Sequence, residues 1–115
     1  MAITEGFAGS ETVSTTEWSL TTDTAGPDVD TTDGVFQCFL DLSALLAGDE
    51  FQFRVYEKVQ AADTQRAVHE ARFIGVQSPP IYVTPALVLL HGWDMTLDKI
   101  AGTDQAITWS IRKIA

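Results

Sequence analysis

The chain has 115 residues, a formal net charge of −9 and a hydrophobic content of 45%. This length and composition predict one soluble globular domain. Binding to nucleic acids or to anionic membrane surfaces is disfavoured, because both need clustered Lys and Arg and the chain has only seven such residues. The sequence also lacks the apolar run of a membrane helix and the pattern of a signal peptide.

The N-terminal third is rich in Thr and Asp and is predicted to be largely irregular. Residues Met1–Glu11 are predicted to form an extended arm. One strand is predicted over Thr12–Leu20, with Thr16, Trp18 and Leu20 on one face, and an acidic loop over Thr21–Gly34. The predicted domain therefore comprises residues 12–115, and residues 1–11 form an N-terminal arm outside it.

From Val35 the apolar residues alternate regularly, which is typical of half-buried strands. The stretch Ser43–Ala47 is long enough for one helical turn only. A hairpin is predicted around "AADT" (residues 61–64), with a charged solvent face. The two inward-facing sets before this hairpin are Phe36, Cys38, Leu40 and Leu42, and then Phe51, Phe53, Val55 and Val59.

The second half contains the most apolar run, Ala86–Leu90, which predicts a strand buried on both faces or one that crosses between sheets. Gly92 then permits a bulge or a bend. The stretches "HGWDMTL" (residues 91–97) and "AITWSI" (residues 106–111) are predicted to form a core hairpin. Its tryptophans, Trp93 and Trp109, point inward. Its outward positions are Asp94, Thr96 and Thr108.

These seven or eight short strands, with no long amphipathic helix, predict an all-β, single-domain antiparallel β-sandwich or barrel. The one cysteine, Cys38, cannot form an intramolecular disulfide and lies in an apolar alternation. It is predicted to be a buried core residue rather than a nucleophile.

Three groups of residues are candidates for binding or catalytic sites. His91 and Asp94 flank Trp93, but no nucleophile or metal-ligand motif accompanies them. Asp28, Asp30 and Asp33 resemble a calcium loop with unsuitable spacing and no following glutamate, which leaves cation binding open. The three tryptophans offer aromatic faces for sugars, but each is in register with aliphatic neighbours. No catalytic residue, metal ligand or cofactor is predicted.

The segment from Tyr56 to Arg72 mixes both charge signs, and Lys58 with Glu70 or Glu57 with Arg72 are predicted as cross-strand ion pairs. Its polar face is interpreted either as a solvated surface or as an interface with an identical copy or a scaffold.

Several short strings resemble small structural proteins in the virions of tailed bacteriophages. They are "VYEKV" (residues 55–59), "TQR" (64–66), "SPP" (78–80), "TPALVLLHGWDMTL" (84–97) and "AGTD" followed by "WSIR" (101–112). The resemblance covers residues 35–114 and includes no catalytic motif. It implies a jelly-roll-like sandwich and a non-enzymatic capsid decoration, or cement, protein. Such proteins often assemble as trimers on the capsid.

The resemblance implies that the major capsid protein and two further copies of the chain are the partners. The protein would be made in the bacterial cytoplasm and carried on the capsid surface. Ile3 and Phe7 of the arm, with Arg54, Lys58, Arg66 and Arg72, are the predicted partner-binding residues. Deletion of the arm is expected to weaken particle binding but not folding. The alternatives are a head-fibre, tail or connector component, and a carbohydrate-binding module.

Overall fold

The computed structural model describes residues 2–114, which contain ten β-strands and no helix. The strands are β1 (Ile3–Val13), β2 (Trp18–Ser19), β3 (Thr24–Ala25), β4 (Gly34–Asp41), β5 (Glu50–Glu57), β6 (Arg66–Ile74), β7 (Ile81–Val83), β8 (Leu87–Leu89), β9 (Asp94–Ala101) and β10 (Gln105–Ile114).

Two antiparallel sheets form a sandwich. Sheet A has the order β1-β10-β4-β7, and β8 also pairs with β4. Sheet B has the order β3-β2-β9-β5-β6. Without the short β3 and β8, four strands lie in each sheet and the chain repeatedly crosses between them. This is the eight-stranded arrangement of a jelly roll. The predicted fold class, an all-β antiparallel sandwich of jelly-roll type, is confirmed.

The alternating apolar residues of the central strands form the core. The first predicted inward set is confirmed at all four positions, since Phe36, Cys38, Leu40 and Leu42 are buried. In the second set Phe51, Phe53 and Val55 are buried, but Val59 is 83% exposed because β5 ends at Glu57. Both Trp93 and Trp109 are buried, as predicted.

The N-terminal segment differs from the predicted arm. Residues 3–13 form β1, an edge strand of sheet A that pairs with β10 along its length. Its inward positions include Gly9, and a Cβ there would lie 2.6 Å from Cζ2 of Trp109. The strand approaches β10 closely because a glycine faces this ring. The predicted strand over Thr12–Leu20 is shorter, since only Trp18–Ser19 continues as β2.

The predicted hairpin of the two tryptophan stretches is wrong, because β9 lies in sheet B and β10 in sheet A. Asp49 holds the connection between them. Its carboxylate accepts hydrogen bonds from Thr103 N at 2.9 Å and from Gln105 Nε2 at 2.9 Å. This carboxylate ties the β9–β10 connection to the end of the β4–β5 connection, so both crossings between the sheets lie at one end of the sandwich.

The apolar run Ala86–Leu90 does not form a strand buried on both faces, which is one of the two structures predicted for it. β8 comprises only Leu87–Leu89, and Val88 is 79% exposed while Leu89 is buried. The strand is therefore not buried on both faces. The chain then crosses from sheet A to sheet B, and Gly92, with φ of 132°, provides the bend. Residues 43–49 form turns rather than a helix.

Candidate binding surface

The outer face of sheet B is partly occupied by the chain itself. We call residues 14–33, between β1 and β4, the covering segment. Asp94 and Thr96 were predicted to face solvent, but both are fully buried beside this segment. Thr108, on sheet A, is exposed as predicted. The side chains on the outward face of β9 are therefore both polar and buried.

Asp94 is the centre of the buried contacts. Its carboxylate accepts hydrogen bonds from Ser19 Oγ at 3.0 Å, Thr21 Oγ1 at 2.7 Å and the backbone N–H of Asp28 at 2.8 Å. Burial raises the pKa of the Asp94 carboxyl, and these hydrogen bonds act against that rise. The donors come from the covering segment, so Asp94 fixes that segment to sheet B.

A second polar group lies farther along the same face. The Tyr56 hydroxyl donates to Glu17 Oε2 at 2.5 Å, and Thr96 Oγ1 donates to the same oxygen at 2.6 Å. Burial, followed by the Glu17 carboxylate, raises the pKa of Tyr56 to about 12. Arg54 Nη1 is 2.9 Å from Asp98 Oδ1. Among the described residues, every buried side-chain nitrogen and oxygen has a hydrogen-bond partner. The arrangement is that of a structural network.

The core tryptophans also hold the covering segment. Trp93 Nε1 donates to the Thr32 carbonyl at 2.7 Å, and Trp109 Nε1 donates to the Leu20 carbonyl at 2.9 Å. Trp18, which is half-buried, donates to Asp23 Oδ1 at 2.9 Å. Because two of the rings lie in the core and the N–H of the third is hydrogen-bonded, the three tryptophans do not form a shared platform for sugars.

The outer face of sheet A is different, because no part of the described chain lies across it. A shallow groove of about 720 Å³ runs over β1, β10, β4 and β7. Its lining includes Ala8, Phe39, Ile81, Thr108, Ser110 and Arg112. This groove is the candidate binding surface.

One cation and one aromatic ring define the groove. The guanidinium carbon of Arg112 lies 3.8 Å from the centre of the Phe39 ring. This stacking holds the guanidinium in place while leaving its outer N–H groups for a partner. Ser110 Oγ donates to Glu5 Oε2 at 2.5 Å, and Arg112 Nε donates to Ser110 Oγ at 3.3 Å. The groove thus presents a planar cation beside a carboxylate.

Apolar side chains extend the surface toward β7 and β8. Ile81 is 43% exposed and Val83 is 41% exposed, and Val83 pairs with Phe39. Val88 of β8 pairs with Val35. The solvent face of an antiparallel sheet usually alternates to polar residues. Apolar residues at these outward positions indicate a surface that a partner covers.

The six predicted partner-binding residues do not form one site. Ile3 is exposed at the start of β1, whereas Phe7 is half-buried and packs against the core, with its ring centre 5.7 Å from that of Trp93. The prediction of Phe7 as an external anchor is therefore wrong. Lys58 is half-buried beside Gly92. Arg66, at the start of β6, is exposed.

The remaining two arginines are held by ion pairs on sheet B, in a register that differs from the prediction. Glu57 lies opposite Arg66, and Arg54 lies opposite Glu70, with Arg54 Nε 3.6 Å from Glu70 Oε1. Arg72 binds Glu50 at 2.9 Å. The predicted Lys58–Glu70 and Glu57–Arg72 pairs are wrong, because Glu70 and Arg72 lie opposite Arg54 and Gln52 and β5 ends before Lys58. β6 also has a bulge opposite the Val55–Tyr56 step.

The other candidate groups are dispersed. The Asp94 carboxylate receives its hydrogen bonds from the covering segment, and the backbone N–H of His91 donates to Glu57. Asp28 accepts from Thr22 Oγ1 at 2.6 Å, and Asp30 accepts from Thr32 N at 2.8 Å. Within residues 2–114, no three His, Cys, Asp or Glu side chains are grouped for a metal ion.

Sequence reasoning missed the groove. Phe39 occupies the outward phase of β4, whose inward residues were identified correctly. The sequence did contain one signal for this groove, because Phe39 is an aromatic residue at a strand position whose side chain points to solvent. The stacking of Arg112 on Phe39 joins residues on two strands that are distant in sequence, so it required the sheet order.

No protein-family model matches the chain, and no curated protein matches it in sequence. A solved structure, the mitogen derived from Yersinia pseudotuberculosis, is similar in fold with a TM-score of 0.51. The match has 6% sequence identity and covers 99% of this chain and 86% of the mitogen. At this identity the similarity supports the sandwich fold alone. In residues 2–114 we find no helix with the length and hydropathy needed to span a membrane.

Proposed function

We propose that this protein is a non-enzymatic structural protein of a tailed-bacteriophage virion. Its role is capsid decoration: it binds the outer surface of the mature head, through the major capsid protein, and stabilises the shell. It is made in the host cytoplasm and carried on the particle. The sequence strings of residues 55–59, 84–97 and 101–112 support this proposal through their resemblance to small virion proteins.

The jelly-roll topology is compatible with this role, since viral capsid domains commonly have it. Fold alone does not determine function, because one fold carries many unrelated sites. The main support is therefore the surface chemistry described above.

The observation that carries the proposal is the difference between the two outer faces. The outer face of sheet B is partly covered by the covering segment, whereas sheet A presents Phe39, Arg112, Ile81 and Val83 on an open face. A rigid sheet with a shallow groove fits a broad, preformed protein surface. Arg112 would pair with a carboxylate of the capsid protein, and the apolar residues would be dehydrated in the contact.

The proposal is tested by adding purified protein to undecorated heads and measuring the amount that sediments with them. Val83→Glu places a charge in the apolar part of the surface and is expected to reduce binding at least about tenfold. Val59→Glu is the matched control. It makes the same change at an exposed residue beyond the end of β5, in a different part of the molecule.

Loss of binding in the Val83 variant with full binding of the Val59 variant would support the proposal. Binding of both variants at the wild-type level would reject this surface. Failure of the wild-type protein to bind heads, with binding to tails or connectors in the same assay, would instead assign it to those structures.

The trimer implied by the resemblance is tested by the solution mass. A trimer has three times the chain mass of 12.5 kDa. Light scattering at several protein concentrations measures this directly. A mass of one or of two chains at all concentrations would contradict a preformed trimer, and a trimer would then have to assemble on the particle.

A further inference from the structure

Strand β6 is a long, open edge of sheet B. It has nine residues, pairs with β5 on one side, and within the described chain has no strand on its other side. The backbone N–H and C=O groups on an open edge can pair with a strand of another molecule. Proteins commonly protect such edges with proline or with charges that repel a second copy. β6 contains no proline.

The charges on β6 are arranged in a self-complementary way. Glu70 and Arg72 lie on the outer face, opposite Arg54 and Gln52 of β5. Their side chains are 54% and 49% exposed, although each has an ion pair within the chain. Both can therefore contact a neighbouring molecule. Ile74, the last residue of the strand, is 67% exposed.

The other long edge, β1, has a different character. Its only charged residues are the acidic Glu5 and Glu11. It also has a bulge between Glu5 and Phe7, which interrupts a regular edge. Two copies of β1 would bring acidic charges together without any basic partner on the strand. Of these two edge strands, β6 is therefore the one suited to pair with a second copy of the chain.

We infer that β6 is the contact between two copies of this chain, which pair antiparallel about Ala71. In this register Ala71 lies opposite Ala71, and His69 lies opposite Phe73. Glu70 of each copy lies opposite Arg72 of the other. Opposite charges directly across an antiparallel pair stabilise it. The register creates two such pairs because a two-fold contact repeats every interaction.

The ends of the contact follow from the same register. Val68, which is 52% exposed at the bulge in β6, lies beside Ile74 of the other copy. The bulge ends the regular stretch, so regular pairing is confined to residues 69–73, with Val68 and Ile74 in contact at each end. A shift of one residue in one direction would place Glu70 opposite Ala71, a shift in the other direction would place Arg72 opposite Ala71, and in both cases the ion pairs would be lost. The inference does not rest on the proposed function, because it uses neither the groove nor a capsid.

The test reverses the charge at Glu70 in one variant and at Arg72 in another. Glu70→Arg gives a strand with Arg at both positions, and Arg72→Glu gives a strand with Glu at both. Each variant alone places like charges opposite one another, so its self-association is expected to be at least about tenfold weaker than that of the wild type. An equimolar mixture of the two restores both ion pairs and is expected to form heterodimers. Sedimentation and native mass spectrometry distinguish these species.

The matched control is Arg66→Glu, which makes the same charge change on the same strand outside residues 69–74. It is expected to self-associate like the wild type. Glu70→Arg raises the net charge of −9 by two, and Arg66→Glu and Arg72→Glu each lower it by two. A mixture of Glu70→Arg with Arg66→Glu therefore has the same overall charges as the test mixture. Its heterodimer would have one ion pair and one pair of facing arginines, whereas two copies of the Arg66→Glu chain keep both ion pairs, so no preferred heterodimer is expected.

A measurement on the unmodified protein provides an independent readout if a variant fails to fold. Amide hydrogen exchange in β6 is expected to slow as the protein concentration rises, while exchange in β1 stays constant. A wild-type protein that remains monomeric at high concentration would overturn the inference. So would self-association that is unaffected by either charge exchange, or heterodimers that form equally well in the control mixture.

Discussion

The contact between Gly9 and Trp109 tests whether the N-terminal segment is a strand or an arm. A Cβ at Gly9 would lie 2.6 Å from Cζ2 of the Trp109 ring, which is closer than two non-bonded carbon atoms approach in proteins. Gly9→Ala should therefore force β1 or the ring to move. The same methyl group should be harmless if the ring is removed by Trp109→Ala.

The magnitudes follow from the packing. Trp109 is 2% exposed, and its replacement by Ala should destabilise the protein by about 3–5 kcal/mol. Overpacking by Gly9→Ala should cost about 1–3 kcal/mol in the wild-type protein. In the Trp109→Ala background the added methyl should stabilise the protein by about 0.4–1 kcal/mol, because it restricts the unfolded chain. The two changes should therefore be coupled by about 1.4–4 kcal/mol.

Urea unfolding followed by circular dichroism measures the free energy of unfolding of the wild type, the two single variants and the double variant. This signal does not depend on the tryptophan that is altered. The slope of free energy against urea should be the same for each, so that the midpoints are comparable. Equal effects of Gly9→Ala in both backgrounds would show that β1 does not pack on Trp109. Deletion of residues 1–11 should likewise impair folding, contrary to the expectation for a free arm, since it removes most of β1.

Three further predictions concern buried polar groups. Backbone N–H groups of Thr103 and Leu46 lower the pKa of Asp49 to about 2, so its stabilising contribution should be complete above about pH 4 and be lost as the pH falls through about 2. Thermal melts of Asp49→Asn and wild type should differ at pH 7 and converge in acid. Asp94→Ala should cost about 1–3 kcal/mol in urea unfolding, because buried donors lose their acceptor; an unchanged free energy would contradict the buried network. Burial raises the pKa of the Cys38 thiol, so a thiol reagent should label it only in the unfolded protein.

Sequence periodicity identified the strands whose two faces differ sharply in burial. In β4 the inward residues are all apolar, so the alternation is clear. In β1 the inward phase includes Gly9, which is small because the Trp109 ring occupies the space. The strand therefore lacks an apolar stripe and resembles an irregular arm in sequence.

The errors at β9 and β10 have a non-local cause. Their alternation was recognised, but the sheet to which each strand belongs depends on partners far away in sequence. The burial of Asp94 depends on Ser19, Thr21 and the Asp28 backbone, which belong to the segment predicted as an acidic loop. A polar residue in the outward phase predicts exposure only when nothing else covers that face.

The free surfaces of the molecule suggest how the two proposed contacts would act together. The groove lies on sheet A, and β6 is an edge of sheet B, so one chain can use both at once. If paired copies bind a shell together, attachment of the first makes attachment of the second intramolecular, which strengthens binding without new contacts. Glu70→Arg should then weaken head binding most at low protein concentration and little at saturation. Val83→Glu should weaken head binding at every concentration and leave the pairing of two copies unchanged. A common loss of pairing and head binding in both variants would mean that the two surfaces are not independent.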